Sequence, residues 1–541
     1  MQYVLGELAG YVILLGIGLF FALAVLLAVR IETRWLGTKK TFEWFSTAGR
    51  TIKTGLLITS VVSAWTWAAT LLQSSTVAYQ YGISGPFWYA AGASIQVILF
   101  GILAIELKRK APMTHTFPEL INARFGKTPH KIFLGFAFMT NTIVTSMLIL
   151  GGAAVIQALT GINVFVASFL IPIGIVIYTL FGGLKATFYA EYLNTALIFG
   201  IVLVFTSVVY FGNTEIGGIS GMYDKLSKSS ALLPIPGNAM GTYLTMASVG
   251  ALAFGIINII GNFGTVFVDQ SYWQRAIASK PKSVVPGFVI GGLAWFAIPF
   301  ALATTLGLSA IAMNMDISAQ QVESGLVAPL TATKLFGDIG AIVMVSVLFT
   351  AVTAAGAAQL TSVSSLVTYD VYRTYIKPSS SGRELMRISR MAILGFGLGM
   401  GVLSSILFVS GISLQYLYLA MGVFIGSAVA PISLAILWKK TNRNAATLGA
   451  LAGLVIGISS WLAVSYVLSG QISLASTSNT ISLLVGNTTS ILSSLAIVML
   501  GSLARSEKFN FEQLRHKIIV YDEKIRTRIE QETNDTTLKK S

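Results

Sequence analysis

One stretch of this chain, SVVSAWTWAATLLQSSTVAYQYGISGPFW, puts Trp65 and Trp67 and then Gln73, Ser74, Ser75 and Thr76 well inside an otherwise apolar run. In an apolar surround an amide or hydroxyl needs a partner or a ligand. Gln73 can donate and accept, and Trp67 can supply a flat wall. Packing against a neighbouring helix accounts for any one of these residues, but the cluster is harder to explain that way. A second stretch, ASVGALAFGIINIIGNFGTVFVDQSYWQRAIASK, interleaves Gly250, Gly255, Gly261 and Gly264 with Asn258 and Asn262. Glycines with amides suit an unwound helix that lends backbone groups to a ligand. They also suit close helix packing. A third, VLFTAVTAAGAAQLTSVSSLVTYDVYR, carries Thr350, Thr353, Thr361, Ser362, Ser364, Ser365 and Thr368. Those hydroxyls can line a cavity or bond back to their own helix.

The chemistry these groups can do is recognition. Glu106, Glu191, Asp269 and Asp338 fall near predicted helix ends, so no carboxylate is expected at mid-span. No Arg or Lys is expected there either. A neutral solute is the simpler reading, since a cation or an anion would want a counter-charge in its cavity. There is no glycine-rich nucleotide loop, no HExxH and no nucleophile elbow, so the chain reads as a non-enzyme without its own ATPase. Uphill transport would then draw on an ion gradient. The chain has no cysteine and only three histidines, His115, His130 and His516, which are too scattered for a metal cluster. No cofactor and no metal beyond a sodium ion is expected.

The elements that must position these groups are membrane spans. Of 541 residues, 54% are hydrophobic and 11% charged, where a soluble chain averages about a quarter charged. A bilayer core of about 30 Å takes roughly 20 apolar residues per helix. Thirteen such stretches are predicted, near 10–29, 54–79, 86–106, 131–158, 162–180, 189–211, 242–268, 284–308, 337–367, 387–409, 413–437, 445–468 and 481–503. The first has no basic residue before it and no small-residue cleavage pattern after it, and reads as a span rather than a leader. With the N-terminus outside and the C-terminus cytoplasmic, 33 of the 36 Lys and Arg fall inside, leaving Lys225, Lys228 and Lys334. The net charge of +15 is therefore a positive-inside signature and not a nucleic-acid surface. The expected organisation is a leading helix and linker (1–53), five helices (54–211), five more (242–437), two trailing helices (438–503) and a charged cytoplasmic tail read as a surface helix (504–541). Because five is odd, the second five start from the opposite side of the membrane, as in an inverted repeat. The first helix of each five is the irregular one, and such a pair points to a midplane site.

The stretches SAWTWAATLLQSSTVAYQYGISGPFWYAAGASIQ, AIELKRKAPMTHTFPELINARFG, YTLFGGLKATFYAEY and DQSYWQRAIA resemble the sodium:solute symporter family, and within it the urea active transporters of fungi and plants. The resemblance spans about 40–470, and the first stretch is the most specific. It implies an all-α, leucine-transporter-type fold of five plus five inverted helices in a multi-pass plasma-membrane protein, with lipid and a small solute as its partners and no obligatory protein partner. It implies urea import by symport through alternating access. By the resemblance Asn262 and Thr70 fall at substrate contacts, and Tyr418 near another with Tyr416 beside it, joining Trp67 and Gln73. Urea has one carbonyl acceptor and four N–H donors in a plane, and such a site could satisfy both. The family's sodium site maps to the carbonyls of Ser63, Thr66 and Ala351 and to a hydroxyl pair whose places are taken here by Ala354 and Ala355. Alanine has no oxygen to give, so the coupling ion is a proton or sodium, with Glu191 and Asp269 as candidate proton carriers. Gln359 stands where the eukaryotic urea branch would have glutamate. The alternatives are the same fold carrying a polyamine, amino acid or monocarboxylate, a passive urea facilitator, or a transporter-like sensor.

Overall fold

Among the described residues of the computed structural model, eleven helices are long and apolar enough to cross a bilayer, and a twelfth crossing is a pair of shorter helices bent by 58° at their junction. One of the eleven is two spans in one. Val164–Ser207 has 44 residues, about 66 Å at 1.5 Å per residue and twice the thickness of a hydrocarbon core. Gly183 interrupts it at φ 60° and ψ −160°. Thirteen crossings result, matching the hydropathy. The structure describes residues 4–36, 41–518, 520 and 525–531, and the described residues form helices and no β-strand.

In chain order the helices begin with α1 (Glu7–Leu36), the short α2 (Phe42–Thr47), and the bent pair α3 (Thr54–Trp65) and α4 (Ala68–Tyr81). Next are α5 (Ser84–Lys110), α6 (Phe117–Phe125), α7 (Lys127–Thr160) and the double span α8 (Val164–Ser207). Between the halves lies α9 (Gly218–Leu232). The second half holds α10 (Val249–Phe267), α11 (Gln270–Ala278), α12 (Pro281–Leu302), the short α13 (Leu308–Ala312) and α14 (Ala319–Glu323), α15 (Val327–Ser365), α16 (Gly382–Val409), α17 (Leu414–Ile425) and α18 (Val429–Leu437). Trailing them are α19 (Arg443–Ser469), α20 (Leu474–Thr477), α21 (Thr480–Ala504) and α22 (Gln513–Lys517). The halves correspond element by element. The broken α3/α4 answers the broken α10/α11, α5 answers α12, α7 answers α15, and the two parts of α8 answer α16 and α17/α18. This is the five-plus-five inverted fold, with one helix leading and two trailing. On α1, Leu8, Val12, Leu15, Leu19, Leu23 and Leu27 stay exposed, as suits a helix facing lipid.

Two expectations shift. The second irregular helix does not unwind at its glycines. α10 is continuous through Phe267, and the break falls beyond them at Val268–Asp269. The glycines are instead where neighbours press in. A Cβ would lie 2.5 Å from Trp88 at Gly255, 2.8 Å from Met421 at Gly261 and 2.5 Å from Ile425 at Gly264. The hydroxyls of α15 mostly bond back. Thr350, Thr353, Thr361, Ser362, Ser365 and Thr368 all donate to carbonyls three or four residues earlier.

The segments outside the membrane are built tightly. After α2 the chain passes through Ala48, Gly49 and Arg50 at φ 50°, 62° and 57°. Left-handed backbone costs of order 1–3 kcal/mol at each residue other than glycine. Gly49 has no alternative, because a Cβ there would meet the Trp44 ring at 1.9 Å. The charged tail is not one surface helix. α22 and a second helical turn at 525–531 are separate in the described residues, and 521–524 lie outside them. Phe511, Leu514, Ile518, Val520, Ile525 and Ile529 are buried.

Candidate functional site

The break in the first core helix is stabilised by its own side chains. α3 ends at Trp65 because Thr66 leaves helical geometry, at φ −91° and ψ 79°. The carbonyls this releases find local donors. Trp65 O accepts from the Thr70 hydroxyl at 2.9 Å, and Ala64 O accepts from Trp67 Nε1 at 2.5 Å and from the Tyr272 hydroxyl at 3.4 Å. Trp65 Nε1 donates to Ala93 O on α5 at 2.7 Å. Its ring stands edge-on to Trp67 at 4.9 Å and to Tyr272 at 5.4 Å. The Trp67 indole is thus committed to capping the break, and Tyr272 brings the first turn of α11 beside it. The two breaks face each other.

One turn further along, four helices converge on a buried polar cluster. The Tyr89 and Tyr418 rings stack at 5.8 Å, and Tyr89 is hydrogen-bonded to Thr70. The Tyr418 hydroxyl donates to Asn258 Oδ1 at 2.5 Å. Asn262 Nδ2 donates to the same oxygen at 2.6 Å and to the Tyr418 hydroxyl at 3.3 Å. Asn258 Nδ2 is anchored on the carbonyls of Trp88 and Tyr89, at 3.1 and 3.0 Å. Thr70, Asn262 and Tyr418 therefore meet, as expected. Tyr89 is a member that the sequence does not single out, and Asn258, marked there only as an amide among glycines, takes a place in the cluster beside Asn262. Gln73 lies three residues past Thr70 on the same face of α4. Its side chain is buried and its Nε2 has no partner.

Tyr416 is elsewhere. It lines a cavity of about 480 Å³ with Gln80, Tyr81, Phe254, Ile257 and Leu419, on the face away from the basic loops. Its hydroxyl meets Thr477 at 3.0 Å. Ile257 and Leu419 adjoin Asn258 and Tyr418 in the chain, so the cavity floor is one side-chain layer from the cluster.

At the mapped ion positions the side-chain oxygens are indeed absent. Ala354 and Ala355 are buried on α15, which packs against α3. Neighbouring Thr353 is already engaged, its hydroxyl donating to Phe349 O at 2.6 Å and its carbonyl accepting from Tyr178 at 2.7 Å. Ser63 O accepts from Thr66 N at 3.0 Å. The Ser63 hydroxyl accepts from Asn194 Nδ2 at 2.8 Å. The other amide atom, Asn194 Oδ1, is buried and unpartnered.

The two candidate proton carriers, Glu191 and Asp269, are both buried. Asp269 is at a helix end, as the N-cap of α11, but that end is the α10/α11 break, and the carboxylate is fully enclosed there. It caps α11 through Ser271 N at 2.6 Å and accepts from Asn141 Nδ2 at 3.0 Å and from Gln359 Nε2 at 2.7 Å. All three are neutral donors. Glu191 instead pairs with Arg275 and accepts from the Ser60 hydroxyl. Arg275 also reaches Ser60 Oγ at 3.0 Å and Ser271 O at 2.9 Å. Asn141 and Arg275 join the site without having been expected there, although a lone amide inside an apolar run and a basic residue four after Ser271 are legible signals.

The family model of sodium:solute symporters matches residues 45–457. A urea–proton symporter of Oryza sativa subsp. japonica is 50% identical over 95% of this chain and 74% of its own length. A urea active transporter of Saccharomyces cerevisiae is 42% identical over 94% of this chain and 70% of its own. Among solved structures, a sodium-coupled sialic acid symporter in a substrate-bound outward-open state superposes with TM-score 0.68 at 18% identity, covering 92% of this chain and 99% of that one. At that identity the match speaks for the fold.

Proposed function

The chain belongs to the sodium:solute symporter family, and on that premise we propose that it imports urea together with protons across a plasma membrane, its N-terminus outside. It is a multi-pass transporter and not an enzyme. The observation that carries the urea reading is the cluster of Thr70, Tyr89, Asn258, Asn262 and Tyr418 with the unpartnered Gln73 Nε2 beside it. Amide and phenol groups offer donors and acceptors, two stacked rings offer a wall, and no charged group joins them. That suits a small, planar, neutral amide. Urea's carbonyl takes the Gln73 donor, and its N–H groups take Asn262 Oδ1 and, once Tyr418 and Asn262 give it up, Asn258 Oδ1. Solutes without this pattern would leave buried polar groups unpaired. The rice and yeast relatives support the same substrate by their names.

The proton is proposed as the coupling ion because Ala354 and Ala355 withhold the hydroxyl pair, leaving the three backbone carbonyls. Asp269 is the carrier favoured by the geometry. Glu191 is paired directly with Arg275, whereas the hydrogen-bond donors of Asp269 are all neutral and Arg275 bears on it without pairing with it, and a carboxylate so placed gains more from an arriving cation. Its place in the break joins it to α11, which bears on the first break through Tyr272. Sodium has one observation in its favour, the free Asn194 Oδ1 beside Ser63.

Uptake of labelled urea into proteoliposomes decides between them. Accumulation is expected under an inward proton gradient and not under sodium. Accumulation driven by sodium alone would move the coupling site to Asn194, Ser63 and Thr66. No urea movement from folded protein would overturn the substrate.

A further inference from the structure

Outside the membrane spans, three separate segments meet at His115. Its Nε2 lies 2.9 Å from Glu43 Oε2 on α2, and its Nδ1 lies 3.0 Å from Glu119 Oε2 on α6. Its ring stacks on Tyr369, at the end of the α15 span, with centroids 4.1 Å apart. The other charged groups around it are few. Arg50 holds Glu43 at 3.2 Å and the carbonyls of Pro112 and Met113 at 2.7 and 3.2 Å. Arg373 bears on Glu119 and on Tyr369. Asp370 is paired with His130 at 2.8 Å. A neutral imidazole carries one N–H and one lone pair, so only imidazolium satisfies a carboxylate at each nitrogen.

This cluster bears on the strained Ala48–Gly49–Arg50 turn, which leads directly into α3. Beyond the turn, Ile52 is 2% exposed. Its N–H donates to Ala278 O at 3.1 Å, and its carbonyl accepts from Lys280 N at 2.9 Å. The other end of α3 is the break at Thr66. α3 is therefore a short rod with a hinge at one end and a strained tether at the other, and the charges around His115 hold that tether.

We propose that His115 is the proton-reading element of a latch that clamps the linker 42–52 and the foot of α3, and with them the cytoplasmic entrance, shut. Burial alone would raise Glu43, but His115 and Arg50 outweigh it and hold it down to about 2. Glu119 is lowered against its burial in the same way, chiefly by His115. Both carboxylates thus remain charged through the physiological range. Burial alone would lower His115, and the two carboxylates outweigh that and raise it. A group raised in the latched state stabilises that state fully below its ordinary value of about 6.5 and loses the effect as pH climbs through the raised value. The latch tightens in an acid cytoplasm and loosens in an alkaline one. A transporter that delivers protons inward would thereby slow itself as the cytoplasm acidifies.

The test uses neither urea nor a gradient, so it can fail or succeed independently of the transport reading. The chain has no cysteine of its own. I52C reports opening by maleimide labelling of the purified full chain, and S379C, at an exposed position on the same face, corrects for the thiol's own titration. With His115 present, the ratio of the two labelling rates should rise about fivefold or more between pH 6 and pH 9. In H115Q it should be high and flat. In E119Q, which removes one of the two carboxylates, the rise should move to lower pH. A flat ratio with His115 present, or an unchanged rise in H115Q, overturns the latch. If H115Q does not fold, E119Q decides alone, and an unmoved midpoint in that variant overturns it.

Discussion

Asn258 Oδ1 is shared by two donors, the Tyr418 hydroxyl and Asn262 Nδ2. Removing that oxygen takes the acceptor from the buried Tyr418 hydroxyl, at about 1–3 kcal/mol, and leaves Asn262 Nδ2 with the Asn258 backbone carbonyl and the Tyr418 hydroxyl. N258A should therefore raise the KM for urea by roughly 10–100-fold, read from saturable uptake. A variant with unchanged KM would mean that the cluster is structural only. The two interior carboxylates should part company. D269N keeps the size of the side chain and removes its charge, so it should abolish proton-driven accumulation while downhill exchange of labelled urea continues. E191Q strands the Arg275 guanidinium in the interior, a loss of about 3–5 kcal/mol, and should show first as a low yield of folded protein. If E191Q folds normally and loses coupling while D269N keeps it, the carrier assignment is reversed. Asn262 and Tyr418 are legible in the sequence because their residue types match a family pattern. Tyr89 is not, and Asn258 is legible only as an amide and not by its partners, because a partner's identity depends on which turns of four helices meet. Spacing along one helix does not contain that information.

Helix breaks are where sequence and structure diverge in an instructive way. The first break is visible in the sequence because indoles and hydroxyls inside an apolar run require an explanation, and they supply one by capping Ala64 and Trp65. The second is expected at the glycines of α10 and lies beyond them. Glycine serves two purposes, unwinding and close approach, and only a neighbour's position tells them apart. Gly261 and Gly422 show the second purpose at its tightest. A Cβ on Gly422 would lie 2.0 Å from Asn487 Oδ1 and 2.9 Å from the Gly261 Cα. G422A must therefore push α17 off α10 and carry Tyr418 away from Asn258. Both a lower melting temperature and a weaker urea KM are expected from this one methyl group, measured by thermal unfolding in detergent and by uptake. A fall in stability with KM intact would show that Tyr418 follows α10 and not α17. The thirteen crossings are legible because hydrocarbon thickness dictates span length. Even α8, which runs through Gly183 without a loop, divides where an apolar run becomes twice too long.

At the scale of the whole molecule, the direction of transport rests on orientation, and orientation rests on charge. Basic residues gather on one face of the spans, and the 480 Å³ cavity opens on the other. The latch around His115 and the tail both belong to the basic face. Arg528 in the tail donates to the Gly49 carbonyl within the strained turn. Arg515 reaches Arg109 O, and Lys517 reaches Ala123 O, at 3.3 and 3.1 Å. The tail thus spans the loops that must separate for the basic face to open. If those loops are cytoplasmic, a cysteine placed at Lys228 should react with an impermeant maleimide on intact cells. One placed at Ser379 should react only after the membrane is opened. R528A should then raise the labelling of I52C on that inner face, because one of the tether's holds is gone. Reaction at Ser379 on intact cells would invert the molecule. The cavity would then be an exit and the latch an outer gate, and the proton sensed by His115 would be the one outside.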